Sequence, residues 1–281
     1  LVDGVDFLVT DGSHAAEAAE LFGAERLAVG ATDGANHIPD GALDLESIFE
    51  RETAELPEGF DRNPGRVDDL AMLIFTSGTT GMPKAAKITN RRWALAALGT
   101  AASCELTPRD TVYCVLPLYH ATGLLVAVGG ALIGGARLAL GEQFSAQRFW
   151  SEVRRYGATV VFYVGELCRY LVETPEEPDE ENHPVRLFVG NGMRPDVWRR
   201  LLDRFGPVDV LEFYGSTEGN VCLANLGGEK VGSVGRPLPG TDTIELVHFE
   251  AEAGSPVRDE AGRVEPVPDG EPGLLLARIS D

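Results

Sequence analysis

Apolar runs of strand length alternate with amphipathic runs of helix length along most of this chain. Leu70–Phe75 is a continuous apolar run, and Asn90–Ala102 has the pattern of a helix. The same alternation returns at Pro195–Phe205 and Val210–Tyr214. Because parallel strands are joined by crossovers that usually contain a helix, this order predicts an α/β fold with mostly parallel sheets flanked by helices.

The pattern changes after about Gly219, where short strand-like runs are separated by Gly and Pro turns. We therefore predict an α/β portion over residues 1–219 and the start of a β-rich subdomain over residues 220–281. The chain begins in a strand-like run at Val5–Val9 without an initiator methionine, so we expect a fragment of a longer protein.

Two polar residues are predicted to begin helices. Asp44 precedes a short helical pattern that runs through Glu50, and Ser145 precedes the pattern Ala146–Tyr156. Asp and Ser are favoured at helix N-termini because their side-chain oxygen accepts a hydrogen bond from a backbone N–H of the first turn. We therefore expect a helix directly after each of them.

The composition is that of an acidic globular protein, with 44% hydrophobic residues, 24% charged residues and a net charge of −20. Such a surface repels nucleic acid and anionic membranes, so we expect neither as a partner through bulk charge. The longest apolar stretch, Ala121–Ala136, is shorter than the roughly 20 residues that span a bilayer. We expect a cytoplasmic protein, and peripheral association with a membrane stays open.

The four cysteines form no C-x-x-C pair and lie in no Cys/His cluster with zinc spacing. We expect them to be reduced and mostly buried, as small hydrophobic residues of an intracellular protein. They are Cys104, Cys114, Cys168 and Cys222.

The segment Thr76–Lys84 combines hydroxyl side chains, two glycines and a lysine within nine residues. Glycines let the backbone turn tightly and expose N–H groups, hydroxyls add donors, and the lysine adds a positive charge, which together suit a polyphosphate. The spacing differs from that of a Walker A loop, because Gly81 is followed by Met82 rather than lysine. From these residues alone, a simple Gly/Ser/Thr turn is an equally good interpretation.

Three further polar turns follow predicted strands. Val189–Pro195 is rich in glycine but lacks the third glycine of a dinucleotide fingerprint. Tyr214–Gly219 offers an aromatic ring, a hydroxyl and a carboxylate, without the G-x-S-x-G spacing of a nucleophile elbow. Pro117–His120 ends in a histidine for which the residues alone favour a place in the core. Because ligands bind outside the carboxyl ends of parallel strands, we expect these turns to converge on one site.

Two of these segments together carry a family resemblance. Phe75–Lys84 resembles the phosphate-loop signature of the adenylate-forming superfamily, which includes acyl-CoA synthetases, luciferases and peptide-synthetase adenylation domains, and Tyr214–Glu218 resembles its second core motif. Tyr163–Leu171, Gly190–Trp198 and Leu211–Asn220 are most similar to the fatty-acid-transport-protein or very-long-chain acyl-CoA synthetase branch. The resemblance implies the large domain of an adenylate-forming enzyme.

The resemblance implies an ATP-dependent ligase for long- or very-long-chain fatty acids, with Mg²⁺ as metal and coenzyme A as a substrate. A carboxylate oxygen attacks the α-phosphorus of ATP, giving acyl-AMP and pyrophosphate, and the coenzyme A thiol then displaces AMP to give the thioester. This chemistry needs mainly charge neutralisation and in-line positioning. The family's small C-terminal domain, with its catalytic lysine, is expected to lie outside this chain, so we expect the chain alone to be poorly active.

The resemblance also implies a role for individual residues. Implied as catalytic are Lys84, Thr217, Glu218 and His120, with Glu218 also as the Mg²⁺ ligand. Implied around the β- and γ-phosphates of ATP are Thr76, Ser77, Gly78, Thr79, Thr80, Gly81 and Lys84. Implied elsewhere in the nucleotide site are Gly190, Asn191, Gly192 and Tyr214 around the adenine, with Gly215, Ser216 and Thr217. Implied in the acyl-carboxylate pocket are His120, Tyr163 and Gly165.

Three alternatives stay open at this point. The acid could be a steroid side chain or another bulky carboxylate rather than a fatty acid. The fold could serve a non-catalytic protein of lipid uptake or binding, although such a protein has no need of a polyphosphate loop. An amino acid could be the substrate, as in a peptide-synthetase adenylation domain.

Overall fold

In the computed structural model, the chain divides into two compact units, residues 1–64 and residues 65–281. Each unit is described by itself. The structure describes the following ranges: residues 8–11, 13–30, 38–51, 59, 65–76, 82–178, 180–219, 221–239 and 243–278.

The described part of the first unit is a three-stranded parallel sheet in the order β1–β2–β3, with two helices. Asp44 begins the second helix as predicted, because its Oδ1 accepts a hydrogen bond from the Ser47 backbone N–H at 3.1 Å. The elements are β1 (Leu8–Asp11), α1 (Ala15–Phe22), a 3₁₀ turn (Ala24–Arg26), β2 (Leu27–Gly30), β3 (Leu43–Asp44) and α2 (Leu45–Arg51).

The second unit alternates strands with helices and then continues as strands alone. Its strands are β4 (Leu70–Thr76), β5 (Lys84–Thr89), β6 (Thr111–Cys114), β7 (Arg137–Leu140), β8 (Val160–Val164), β9 (Leu187–Asn191), β10 (Asp209–Gly215), β11 (Cys222–Asn225), β12 (Arg236–Pro237), β13 (Ile244–Val247), β14 (Phe249–Glu250), β15 (Ser255–Pro256) and β16 (Leu274–Ala277). Its helices are α3 (Asn90–Ser103), a π-helix (Thr122–Val128), α4 (Gly129–Gly134), α5 (Phe149–Tyr156), α6 (Gly165–Glu173) and α7 (Pro195–Phe205).

The large sheet of this unit has seven strands within the described residues, in the order β12–β11–β10–β9–β8–β6–β7. The five strands from β10 to β7 run parallel, and β11 and β12 add an antiparallel edge. The α/β prediction with mostly parallel strands is thereby confirmed. The segment that follows forms short antiparallel pairs, β13 with β16 and β14 with β15, as the Gly/Pro pattern predicted.

The two faces of the large sheet are packed differently, because alternate residues of each strand point to opposite sides. One face, called here the filled face, carries the aromatic core under α5, α6 and α7. The other, the open face, carries mainly small and aliphatic side chains, together with Phe162, under α3, the π-helix and α4. Buried on the filled face are Tyr113, Phe149, Trp150, Tyr163, Phe188, Trp198 and Phe205. Buried on the open face are Ala101, Val112, Cys114, Ala127, Ala131, Val160, Val189 and Leu211.

The prediction that Ser145 caps a helix is wrong. The helix α5 begins at Phe149, with Arg148 at its N-cap position, and the Ser145 carbonyl instead accepts a hydrogen bond from the Arg148 N–H at 3.2 Å within a turn. Packing explains the later start, because Phe149 and Trp150 are the first buried side chains of this segment. A short helix depends on such packing more than on its cap.

The cysteines behave as predicted. All four lie within the described residues and are free, and Cys104, Cys114 and Cys168 are buried. Burial raises the pKa of the Cys168 thiol well above its ordinary value, which makes this thiol unreactive. A separate search of the described ranges finds no helix with the length and apolar character needed to cross a bilayer.

Candidate active site

A cavity of about 980 Å³ lies on the open face, between α3, the π-helix and the large sheet. Its wall is mainly apolar and comes from all three elements. The α3 residues Ala96 and Gly99 are small, so they leave the space on this side of the sheet unfilled. The principal apolar wall residues are Leu95, Leu116, Leu125, Val189, Leu211 and Phe213.

Polar residues reach the cavity from the carboxyl ends of the parallel strands. His120 follows β6, Asn191 ends β9, and Ser216 and Thr217 follow β10. This arrangement agrees with the expectation that the strand-ending turns converge. The cavity therefore combines an apolar interior with polar groups at one edge of the sheet, which is the usual composition of a small-molecule site.

The predicted phosphate loop connects two antiparallel strands. Thr76 ends β4 and pairs with Lys84, which begins β5, and the Thr76 hydroxyl donates to the Lys84 carbonyl at 3.4 Å. Lys84 is exposed. The residues between them in this prediction, Ser77, Gly78, Thr79, Thr80 and Gly81, lie outside the described residues, so their contact with phosphate stays a prediction.

The turn Ser216–Gly219 is closed by its own hydrogen bonds. The Ser216 hydroxyl donates to the Gly219 carbonyl at 2.8 Å, and the Gly219 N–H donates to the Ser216 carbonyl at 3.1 Å. Gly219 has φ of +99°, a conformation that favours glycine. The turn presents Thr217 to the cavity and leaves the Glu218 side chain exposed.

The oxygen ligands at this turn suit a Mg²⁺ ion that is held partly by substrate phosphates, rather than a metal ion that is coordinated by protein side chains alone. Glu218 is an exposed carboxylate beside the Thr217 hydroxyl. Across the described residues, no group of three or more His, Cys, Asp or Glu side chains could hold a metal ion. Mg²⁺ is commonly held by one or two carboxylates together with water and substrate phosphates, so a single carboxylate is sufficient.

Tyr163 differs from its expected position. Its side chain is 1% exposed and lies in the aromatic core of the filled face, where its hydroxyl donates to Glu212 Oε1 at 2.7 Å. The alternation along β8 explains this, because Val164, the next residue, reaches the cavity on the other side. The structure therefore brings the Tyr163 side chain to the filled face and not to the cavity.

Glu212 organises the turn after β9. Its carboxylate is buried and accepts hydrogen bonds from the Gly192 N–H at 3.1 Å and the Met193 N–H at 2.8 Å, in addition to Tyr163. Burial raises the pKa of Glu212, and these three donors oppose that rise. Because all three partners are donors, the geometry suits an ionised carboxylate.

Gly165 and Gly192 meet at a close backbone approach behind this turn. A Cβ at Gly165 would overlap the carbonyl oxygen of Gly192, and a Cβ at Gly190 would overlap the carbonyl oxygen of Tyr163. Gly165, expected in the acyl-carboxylate pocket, thus packs against the turn while its neighbour Val164 lines the cavity. Asn191 is exposed and lines the cavity.

His120 and Tyr214 are both exposed. The residues alone favoured a core position for His120, but its side chain lies at the cavity rim, 4.6 Å from the Tyr119 ring between centroids. Tyr214 lies near the end of β10, paired with Leu223 of β11, and its side chain is half exposed. A half-exposed ring at a strand end is free to stack on a flat ligand.

Comparison with known proteins identifies the family. The family model described as AMP-binding enzyme matches residues 4–278. The chain belongs to this family. The earlier resemblance to adenylate-forming enzymes is thereby confirmed.

Two curated proteins are similar over large parts of this chain. The chain is 46% identical over 214 residues to the medium/long-chain-fatty-acid–CoA ligase FadD6 of Mycobacterium tuberculosis, covering 75% of this chain and 35% of that protein. It is 40% identical over 284 residues to long-chain fatty acid transport protein 1 of Bos taurus, covering 99% of this chain and 44% of that protein. The chain thus spans less than half the length of these curated relatives.

Two solved structures share the fold. ATP-bound MatB from Rhodopseudomonas palustris matches with a TM-score of 0.71 and 27% identity, over 96% of this chain and 50% of that chain. MenE from Bacillus subtilis, in complex with ATP and magnesium ion, matches with a TM-score of 0.66 and 23% identity, over 96% of this chain and 49% of that chain. At this identity the match shows a shared fold alone.

Two residues of this AMP-binding chain were missed by sequence reasoning. Arg92 donates hydrogen bonds to the Ser216 and Thr217 carbonyls, and Glu212 holds the Gly192–Met193 backbone. Neither contact has a local signal, because Arg92 is separated from Thr217 by 125 positions. The apolar cavity wall was missed for the same reason, since its residues come from distant elements.

Proposed function

We propose that this chain is the core of the large, nucleotide-binding domain of an AMP-forming, ATP-dependent long- or very-long-chain fatty acyl-CoA ligase. Membership of the AMP-binding family and the names of the similar proteins support this proposal. Its substrates are a fatty acid, ATP and coenzyme A, with Mg²⁺ as the metal.

One observation carries the proposal: the apolar cavity of about 980 Å³ ends at the polar turns that follow β6, β9 and β10. An acyl chain gains roughly 0.8 kcal/mol for each buried CH₂ group, so an apolar wall favours a long chain over a short acid. The polar edge then receives the carboxylate. The cavity thus has one end for the chain and one end for the chemistry.

The residues at the polar edge suit the adenylation half-reaction. Thr217 lines the cavity, and its hydroxyl would face the point where a carboxylate oxygen forms its bond to the α-phosphorus while the bond to pyrophosphate breaks. Lys84 at the end of the phosphate loop would hold the leaving pyrophosphate, and His120, which lines the cavity, would receive the acid carboxylate. Glu218 would hold Mg²⁺, which neutralises phosphate charge when bound.

The nucleotide itself would rest on the turns after β9 and β10. Asn191, Gly192 and Tyr214 are exposed at the ends of these strands, and the Tyr214 ring together with the Gly190–Gly192 backbone would hold the adenine. In the second half-reaction the coenzyme A thiol attacks the acyl carbon and AMP leaves. We propose no residue of this chain for the thiol step.

A second candidate function is lipid uptake or binding without catalysis. The printed names of several similar proteins, such as long-chain fatty acid transport protein 1, favour keeping it. Lys84→Ala separates the two, because removing a charge that stabilises the transition state typically lowers kcat by about 10²–10³-fold. A carrier would bind fatty acid as well with this substitution as without it.

The first experiment is carboxylate-dependent ATP–pyrophosphate exchange by the protein that carries this chain, with acids from acetate to long fatty acids, a steroid acid and amino acids. Exchange with long acids supports the ligase, and preference for the steroid acid transfers the proposal to a ligase for bulky carboxylates. Absence of exchange with every acid, in folded protein with Mg²⁺, would overturn the ligase proposal and favour the binding function instead.

A further inference from the structure

The side chain of Arg92 connects two parts of the site that are far apart in sequence. Its Nε donates to the Thr217 carbonyl at 2.9 Å and its Nη2 to the Ser216 carbonyl at 2.8 Å. Arg92 lies in the first turn of α3, where its own N–H donates to the hydroxyl of the N-cap residue Thr89 at 3.2 Å. Two consecutive carbonyls are therefore held by one guanidinium that is itself fixed at a helix start.

The turn is shaped around this guanidinium. A Cβ at Gly219 would overlap Nη1 of Arg92, so the backbone of Gly219 passes directly beside the arginine. The Ser216 hydroxyl and the Gly219 N–H close the same turn from the other side. Arg92, Ser216 and Gly219 thus define one conformation of the segment that carries Thr217 and Glu218.

The electrostatic surroundings of Arg92 agree with this geometry. Burial lowers the pKa of Arg92 from its ordinary value, and the nearby Glu218 carboxylate acts in the opposite direction. Arginine remains protonated in proteins, so Arg92 keeps a positive charge beside Glu218.

The position of Arg92 also relates the turn to the phosphate loop. The strand β5 begins at Lys84 and leads directly into α3, so Lys84 and Arg92 are connected by a single strand and a capped helix start. The Arg92 side chain therefore links the start of α3, which follows β5, to the turn that presents Thr217.

We propose that Arg92 is a positioning residue for adenylation, and this rests on the proposed function. It fixes the Ser216–Gly219 turn relative to strand β5, so that Thr217 and Glu218 meet phosphates that Lys84 would hold. It touches carbonyl groups of the protein and acts through the turn rather than on the substrate. Displacing catalytic groups by about 1 Å can lower a rate by roughly 10²-fold.

Arg92→Lys is the sharpest test, because lysine keeps the charge but cannot bridge two carbonyls with a planar fork. We expect this variant to lower kcat of ATP–pyrophosphate exchange by at least about tenfold, with a smaller change in the KM for the acid, since Arg92 lines the cavity but the apolar wall residues Leu95, Leu125 and Leu211 are unchanged. We also expect faster hydrogen–deuterium exchange of the Gly219 amide. For Arg92→Ala, added guanidinium ion should restore part of the rate.

Arg200→Ala is the matched control. Arg200 also donates to a backbone carbonyl, that of Val172 at 2.7 Å, but it lies on α7 away from the cavity. Its loss should lower the melting temperature and leave kcat and the Gly219 amide unchanged, without rescue by guanidinium.

Each result decides a separate question. Wild-type kcat and wild-type Gly219 exchange in Arg92→Lys would overturn the proposal. A wild-type protein that exchanges pyrophosphate with no acid would overturn the proposed function instead, and Gly219 exchange would still decide whether Arg92 holds the turn.

Discussion

The filled and open faces belong to the same sheet, yet they are used differently. On the filled face, large aromatic side chains such as Trp150, Phe188 and Trp198 interlock under three helices. On the open face, Ala127 and Ala131 bury little surface, and a cavity of about 980 Å³ separates the helices from part of the sheet. The filled face therefore supplies much of the stability, and the open face supplies the space for a ligand.

The difference follows from side-chain volume. Burying apolar area stabilises a fold by roughly 25 cal/mol per Å², so aromatic side chains contribute most where they are fully covered. A ligand-binding face must leave apolar surface uncovered until the ligand arrives. The two faces thus divide stability and binding between alternate residues of the same strands.

The largest expected change in the free energy of unfolding comes from a substitution on the filled face. Trp198→Ala removes a side chain that is 1% exposed, and we expect it to lower the free energy of unfolding by about 3–5 kcal/mol. Urea denaturation measures this. Leu95→Ala, a truncation of a 62% exposed cavity-wall residue, should cost about 0.5 kcal/mol or less. Equal losses in the two variants would contradict the division between the faces.

The next largest effect on stability is expected at Asp110, which lies at the amino-terminal ends of the parallel strands, opposite the candidate site. Asp110 accepts hydrogen bonds from Arg186 at 2.9 Å and Thr159 at 2.8 Å. Burial would raise the pKa of Asp110, but these hydrogen bonds outweigh it and lower the pKa from 3.8 to about 2. Because the folded pKa is the lower one, the stability that Asp110 contributes is present above pH 4 and is lost as the pH falls towards 2.

Asp110→Asn should therefore lower the free energy of unfolding by about 2 kcal/mol at neutral pH, and the difference from wild type should shrink between pH 4 and pH 2. Denaturation at a series of pH values measures it. Glu142→Gln, at an exposed position, is the control and should show no such trend. A difference that stays constant down to pH 2 would exclude the ionised Asp110 as its source.

The smallest expected change in stability comes from a substitution at Gly99, which tests whether the open face binds the acyl chain. Gly99 lies inside α3 and lines the cavity, and a Cβ added there meets no atom within 4 Å. Gly99→Leu should stabilise the helix by up to about 1 kcal/mol, because glycine is a poor helix former. The new side chain should fill part of the cavity and lower kcat/KM for long acids by about tenfold relative to short ones.

The chain-length profile of pyrophosphate exchange, measured beside thermal stability, tests this. Ala94→Leu places the same side chain at an exposed position of α3 and should leave the profile unchanged. An unchanged profile in Gly99→Leu would mean that the acyl chain does not enter this part of the cavity.

Much of the fold was predictable because its signals are local. The buried strands of the large sheet are continuous apolar runs, and α7 begins with Pro195 at the position where proline is tolerated. The start of α5 was not predictable, because the packing of Phe149 and Trp150 outweighed the local signal of Ser145.

The candidate site divides in the same way. The sequence by itself determined the alternation of strands and helices, the family signatures, and the expectation that strand-ending turns meet at one edge, because each depends on neighbouring residues. Only the tertiary structure decided that Tyr163 faces the filled side, that Glu212 holds the turn after β9, and that Arg92 reaches Thr217. The physical reason is that such contacts join residues on different elements, and their distances are set by how those elements pack.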